Sequence, residues 1–285
     1  MALRLADGGE VHARIKGKRL KPVCGDQVSA EPIEGESDWL ITAIRERRNE
    51  LARPNSRGQV EVLAANLDAL VVVAAASPVP DWFIVDRYLC AAELMGVEPI
   101  VVFNKTDLLE GHDIEIDELQ EYRDIGVVTL ECSAESGAGL PVLQQHLAGR
   151  QAIIVGQSGV GKSSLINEMA VDSRQRTAGI SAKTGEGRHT TVNSVLMTLR
   201  SGGAVIDSPG VRDYAPALTE LADVARGFRE ISAASQHCRF ANCRHLREPG
   251  CAVKAALDDG AISFRRYESY KRLMNLTAKR TNNRY

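Results

Sequence analysis

The chain has 285 residues, of which 44% are hydrophobic and 25% charged, and a net charge of −2. That apolar content supplies a core and excludes a disordered chain, and the length implies two or three domains. The longest apolar run, Ala69 to Ala76, is far too short to span a bilayer, and no basic start leads into an apolar signal segment, so a soluble cytoplasmic protein with no membrane partner is expected.

Charge is unevenly placed along the sequence. Lys and Arg stand against Asp and Glu at 11 to 10 over residues 1–62, 11 to 22 over 63–225 and 13 to 5 over 226–285. From the N-terminus, short alternating stretches such as Val11 to Ile15 and Trp39 to Ile44, broken by Gly25-Asp26 and Gly35, predict a small β-barrel over residues 1–62. From Leu67 to Ala75 onward, apolar strands alternate with amphipathic stretches at Asp81 to Met95, Leu140 to Leu147 and Gly161 to Met169, the pattern of an α/β domain over 63–217. Residues 218–285 read as helical, over Thr219 to Ala234, Ala252 to Leu257 and Ser263 to Ala278, with a cysteine-rich loop between the first two.

The central domain carries two nucleotide motifs. Gly156, Gln157, Ser158, Gly159, Val160, Gly161, Lys162 and Ser163, followed by Ser164, match the phosphate loop G-x-x-x-x-G-K-[ST]. They sit between the apolar strand Ala152 to Val155 and a helix containing Leu165-Ile166. Glycines let backbone N–H groups wrap phosphates, Lys162 reaches the β- and γ-phosphates, and Ser163 gives a hydroxyl to magnesium. Upstream, Asn104, Lys105, Thr106 and Asp107 follow the strand Pro99 to Phe103. A carboxylate at Asp107 fits the paired donors of guanine N1–H and its 2-amino group, which adenine lacks. Asn104 braces the loop and contacts the base edge, and Lys105 lays its stem over the ring. Ser133-Ala134, after Val127 to Cys132, offers a backbone N–H to guanine O6. The order is reversed relative to an ordinary GTPase: N-K-x-D and Ser-Ala precede the phosphate loop, and Thr190-Thr191 and Asp207 to Gly210 follow it. Every part is present, circularly permuted.

In the C-terminal loop Cys238, Cys243, His245 and Cys251 fall within fourteen positions. Four such ligands suit one tetrahedral zinc, and a filled set implies a structural ion. His237 competes with His245, but neighbouring residues seldom both reach one ion, so His245 is preferred. Cys24, Cys90 and Cys132 read as structural thiols.

This set of motifs resembles the circularly permuted, small-ribosomal-subunit-dependent GTPases of bacteria, the YjeQ/RsgA family. The likeness rests on the motif order, Gly187 to Thr191, Asp207 to Arg212 and the C-x4-C-x-H-x5-C pattern, and covers nearly the whole chain. It implies an N-terminal oligonucleotide-binding barrel, a permuted GTPase domain and a zinc domain. It also implies action in late maturation of the small subunit, with its rRNA as partner. Relative to that family the chain starts near the second half of the barrel's first hairpin, so a short or truncated first strand is expected.

Val211 stands where a water-orienting glutamine would follow Gly210, so intrinsic hydrolysis is expected to be slow. His189 is the nearby polar group able to position water, and the resemblance points to it as well. Thr190 or Thr191 is expected on magnesium, and Asp207 through a water. The short passage from Gly210 into the C-terminal region predicts that GTP repositions the zinc domain. Arg265-Arg266, Lys271-Arg272 and Lys279-Arg280, with Tyr267 and Tyr270 between them, form a candidate RNA-binding helix. The expected protein is a monomer that binds GTP and GDP and hydrolyses GTP under stimulation by the subunit. An RNA-binding switch with incidental hydrolysis is the alternative.

Overall fold

A computed structural model describes residues 1–17, 19–55, 59–109, 116–171, 194–208, 218 and 220–282. The N-terminal region is all β. Strands β1 (Ala2–Arg4), β2 (Glu10–Ile15), β3 (Val28–Pro32) and β4 (Trp39–Ile44) form a sheet in the order β1-β2-β4-β3. A hairpin of β5 (Glu50–Pro54) and β6 (Val60–Ala65) joins this sheet through a bridge between Cys24 and Ala64. The first strand is short, as expected: Ala2–Arg4 pairs with Glu10–His12, and the Met1 amino group donates to the Ala13 carbonyl at 2.9 Å. The β5–β6 hairpin spans residue 62, so its two strands fold as one unit across the expected end of the barrel.

The central sheet has six strands in the order β11-β12-β10-β7-β8-β9. These are β7 (Ala69–Ala75), β8 (Glu98–Asn104), β9 (Val128–Glu131), β10 (Gln151–Gly156), β11 (Val195–Thr198) and β12 (Ala204–Asp207). All neighbours run parallel except β11 with β12. A central parallel strand is covered on both faces, and β7 is accordingly an unbroken run of buried Ala, Leu and Val. Leu70, Val72 and Ala74 pack on helices α1 (Trp82–Met95) and α2 (Asp117–Asp124). Val71 and Val73 pack on α3 (Leu140–Leu147) and α4 (Lys162–Met169). Helix α1 starts where Asp81 accepts from the Phe83 N–H at 3.0 Å and stops at the left-handed Gly96, an N-cap and C′ pair its sequence advertises.

The C-terminal region holds α5 (Leu221–Arg226), α6 (Arg229–Ser235), α7 (Ala252–Asp258) and α8 (Phe264–Asn282). The single helix expected over Thr219 to Ala234 is two helices, broken at Gly227-Phe228. The break has a packing cause: a Cβ on Gly227 would lie 2.1 Å from Cys90 Sγ on α1, and Phe228 is fully buried. A third core forms here, in which Phe83 and Cys90 of α1 meet Val224, Phe228, Tyr267 and Tyr270. Helix α1 therefore serves two cores, one on each side. No helix among the described residues is long and apolar enough to cross a membrane.

Helix α8 corrects one reading of the sequence. Arg266, Tyr267, Tyr270, Leu273, Met274 and Thr277 are buried, and their spacing traces one helical face. The Tyr267 and Tyr270 hydroxyls donate to the carbonyls of His245 and Arg244, at 2.6 and 2.8 Å. Neither ring is presented for stacking on bases. Arg265 and Arg266 both bond the fully buried Asp86 of α1, at 2.9 and 2.7 Å. Arg265 also pairs with Glu121 of α2 and Arg266 with Glu230 of α6. These arginines fasten the helix to the central domain instead of facing phosphates. Helical spacing of Arg and Tyr fits both roles, and only the acidic residues of α1, α2 and α6 decide between them.

Candidate nucleotide and metal sites

The phosphate loop lies between the end of β10 and the start of α4. Its conformation depends on two glycines. Gly156 has φ 136° and a Cβ there would meet the Val73 carbonyl oxygen at 2.2 Å; Gly161 has φ 88° and a Cβ would meet Asn104 Nδ2 at 2.4 Å. Both positions combine positive φ with close backbone approach, which only glycine tolerates. Lys162 folds back so that Nζ donates to the carbonyls of Gly156 and Gln157, at 2.9 and 2.6 Å.

The second motif, at the end of β8, is wired to the first. Asn104 is buried, and its amide spans both loops: Nδ2 donates to the Val160 carbonyl at 2.9 Å, and Oδ1 accepts from the Ala134 N–H at 3.2 Å. Lys105 adopts the left-handed conformation and donates to the Gly159 carbonyl at 2.7 Å. Thr106 bonds the Cys132 carbonyl, and the Ser133 hydroxyl bonds Asp107. The amide of Asn104, expected to reach a base edge as well as brace the loop, makes one bracing bond at each end.

The cavity between these loops measures about 420 Å³ and is lined by Lys105, Gly156, Ser158, Gly159, Gly161, Lys162, Ser163, Ser164, Asp207 and Ser208. Asp207 ends β12 beside the phosphate loop because β12 pairs with β10. The structure thus gathers Asn104 to Asp107, Ser133-Ala134, Gly156 to Ser164 and Asp207. His189, Thr190, Thr191 and Gly210 lie outside the described residues. The sequence reading did not single out Ser208 as lining the cavity, nor Asp81, whose N–H donates to Gln157 Oε1 at 3.2 Å. Asp81 was legible only as a helix cap.

In the C-terminal loop, the ligand atoms of Cys238, Cys243, His245 and Cys251 lie within 4.8 Å of one another. Cys238 Sγ and Cys251 Sγ are 4.0 Å apart, and each is 3.5 Å from His245 Nδ1. Ligands at Zn–S ~2.3 Å and Zn–N ~2.0 Å on a tetrahedron would be separated by about 3.8 Å (S to S) and about 3.5 Å (S to N). The donor set fits one metal ion. His237 is not part of the cluster. Burial lowers the His245 pKa, which favours the neutral imidazole a metal needs. Glu248 organises the loop: its carboxylate accepts from the N–H groups of Arg244, Leu246 and Arg247 at 3.1, 2.9 and 2.9 Å. Desolvation would raise its pKa, yet these backbone donors pull it down to about 2.

A parallel sheet whose phosphate-loop strand comes after the strand bearing N-K-x-D, with both motifs closing on one cavity, defines a circularly permuted P-loop GTPase. The RsgA GTPase family model matches residues 44–216. The chain is 44% identical to the small ribosomal subunit biogenesis GTPase RsgA of Azotobacter vinelandii, over 94% of this chain and 80% of that protein. It is 40% identical to the protein of that name from Haemophilus influenzae, over 92% and 78%. Among solved structures it is similar to YjeQ from Thermotoga maritima, with a TM-score of 0.71 and 28% identity over 96% of this chain and 92% of that one. YloQ, described as a circularly permuted GTPase, gives a TM-score of 0.71 at 26% identity, over 96% and 88%. The chain belongs to the RsgA GTPase family.

Proposed function

We propose that this GTPase binds the small ribosomal subunit, assists its late maturation, and hydrolyses GTP with turnover stimulated by the subunit. The observation that carries the nucleotide half is the Asn104 amide, which ties the phosphate loop to the guanine loop so that one ligand reads both. Lys162 would leave its two carbonyl partners for the β- and γ-phosphates, and the N–H groups around Gly159 and Gly161 would cradle them. Asp107, oriented by the Ser133 hydroxyl, would accept from guanine N1–H and the 2-amino group. Ser163 and Asp207 would hold magnesium together with Thr190 or Thr191, and the ion would neutralise charge on the phosphates. His189 is assigned to positioning the attacking water, because the aliphatic Val211 cannot.

The ribosomal half is supported by the relatives' name and by the excess of basic residues after 226. Arg265, Arg266, Tyr267 and Tyr270 are not its contacts. Among the described residues, exposed basic side chains such as Arg239, Arg244, Arg247, Lys279 and Arg280, with the N-terminal sheet, are left to meet rRNA. Zinc is the ion we assign to Cys238, Cys243, His245 and Cys251: three thiolates and one imidazole are its preferred structural set, and no position is left for a reacting water. Three folding units, expected over 1–62, 63–217 and 218–285 and with the first carried through the end of β6 at Ala65, a monomeric state and a cytoplasmic location complete the proposal.

The test is GTP turnover by the full chain with and without purified small subunits. Stimulation is expected. Turnover that is slow and unchanged by the subunit would instead support an RNA-binding switch in which hydrolysis is incidental.

A further inference from the structure

Of the polar contacts between the N-terminal region and the nucleotide domain, the one made by Cys24 lies close to the hydrolytic end of the cavity. The Cys24 thiol, in the turn between β2 and β3, donates to the Ser194 carbonyl at 3.1 Å. The Ser194 hydroxyl donates in turn to Ser208 Oγ at 3.2 Å. Ser208 is buried, lines the nucleotide cavity and follows Asp207 directly. Ser194 immediately precedes β11, whose Val195 is registered against Asp207 of β12. A three-residue chain of hydrogen bonds therefore leads from the N-terminal domain to the residue beside Asp207.

The near end of this chain is held firmly. Asp26 accepts from the Val23 N–H at 2.8 Å and takes a two-point contact from Arg47, at 2.7 and 2.9 Å, which closes the turn around Cys24. The Cys24 carbonyl accepts from the Ala65 N–H at 3.1 Å, and Asn66 Nδ2 donates to the Gly25 carbonyl at 2.9 Å. Asn66 in turn lies against β10, whose Gln151 side chain donates to the carbonyls of Ala65 and Asn66, both at 2.9 Å. The turn is thus held by bonds independent of Ser194, and displacing it would be felt where the thiol meets the Ser194 carbonyl, directly before β11.

We propose that Cys24 and Ser194 are positioning residues for hydrolysis, transmitting the seating of the N-terminal domain on its partner to the Asp207-Ser208 segment. Ser194 fixes the hydroxyl of Ser208, and Cys24 fixes the backbone of Ser194, so docking of the N-terminal sheet sets the place of Asp207 relative to the phosphates. The inference rests on the reading that turnover responds to the small subunit. It adds the route by which the response reaches the site. The zinc-bearing region, fastened through Asp86 to α1, is attached to the guanine-reading half and lies off this route.

The experiment compares Cys24→Ala, Cys24→Ser and Ser194→Ala in the full chain, measuring GTP turnover with saturating small subunits, turnover without them, and GDP affinity. Cys24→Ala and Ser194→Ala are each expected to lower stimulated kcat on the order of ten-fold, with KM nearly unchanged, as expected when an interaction matters for the chemical step and not for ground-state binding. The double variant is expected to lose no more than either single one, since both break one chain. Cys24→Ser keeps a donor and is expected to restore most of the rate. For Cys24→Ala, GDP affinity and unstimulated turnover should stay within about two-fold of the parent, on the same reading of mutant kinetics. Parental stimulated rates in Cys24→Ala, or a Cys24→Ser variant as slow as Cys24→Ala, would overturn the proposal. A parent chain that shows no stimulation at all would instead strike the ribosomal reading beneath it.

Discussion

At the scale of single residues, the site is built from groups that do more than their motif role. Asn104 uses both ends of its amide to join two loops. Removing it would leave the Val160 carbonyl and the Ala134 N–H without their partner, at about 1–3 kcal/mol each. Guanine discrimination then falls to Asp107. Two charge-assisted hydrogen bonds of roughly 1.5–3 kcal/mol each imply that Asp107→Asn weakens GTP binding by about 100-fold or more. The asparagine can donate where the aspartate could not, so XTP should become the better ligand. Competition among GTP, XTP and ATP checks this, and an unchanged preference for GTP would remove the guanine role from the loop. Cys90 and Cys132 are structural, as their surroundings in sequence imply. Burial pushes their thiols up to about 12 and about 11.

At the scale of elements, a metal-ligand set and a buried ion cluster bear on the C-terminal region. The loop of Cys238, Cys243, His245 and Cys251 is short and has little core of its own, so a bound metal would supply folding free energy there. Cys243→Ser should lower metal content well below one equivalent and raise amide exchange over residues 238–251, with GDP binding retained; elemental analysis and exchange mass spectrometry check both. The ionic device centres on Asp86, which carries no exposed surface and accepts from Arg265, Arg266 and the Tyr122 hydroxyl. Burial and the neighbouring Asp86 charge hold the Tyr122 pKa well above its usual value, so the phenol remains a donor. Arg266→Met should destabilise the chain by about 3–5 kcal/mol, because it takes the guanidinium partner from the largely buried Glu230 and one of two guanidinium partners from the buried Asp86. Urea unfolding measures the loss. A smaller change than about 1 kcal/mol would mean that water reaches the cluster and screens it, the regime of exposed ion pairs.

At the scale of the whole molecule, both flanking regions pack on α1, and each makes further polar contacts of its own with the central domain. The N-terminal sheet meets β11 and β12 through Cys24 and Ser194. The C-terminal helices meet α1 and α2 through Asp86, Glu121 and the core around Phe83, over whose ring Arg272 sits at 4.0 Å. Chain order alone led to the expectation that GTP swings the zinc region through the segment after Gly210. A buried ion cluster anchoring α8 opposes such a swing. A pair of spin labels on α1 and α8 should therefore give the same distance with GDP and with a non-hydrolysable GTP analogue. A nucleotide-dependent change of several ångströms would restore the direct coupling.

Much of this protein is written locally. The phosphate loop, N-K-x-D and the cysteine spacing were legible because each needs particular residue types at fixed offsets along a few consecutive positions. The β7, β8 and β10 strands were legible because parallel strands buried on both faces become continuous apolar runs. By itself the sequence determined the permuted order of the motifs, the α/β class of the centre and the four metal ligands. The tertiary structure alone decided what α8 does, since a face of Arg and Tyr looks the same whether it meets RNA or acidic helices, and its partners Asp86, Glu121 and Glu230 are 36 to 180 positions away in the chain. It alone placed the break at Gly227, which depends on contact with Cys90, and the bond from Cys24 to Ser194, which joins residues 170 positions apart. Contacts between distant segments leave no periodicity or spacing in the sequence, and the junctions between the parts of this molecule are made of such contacts.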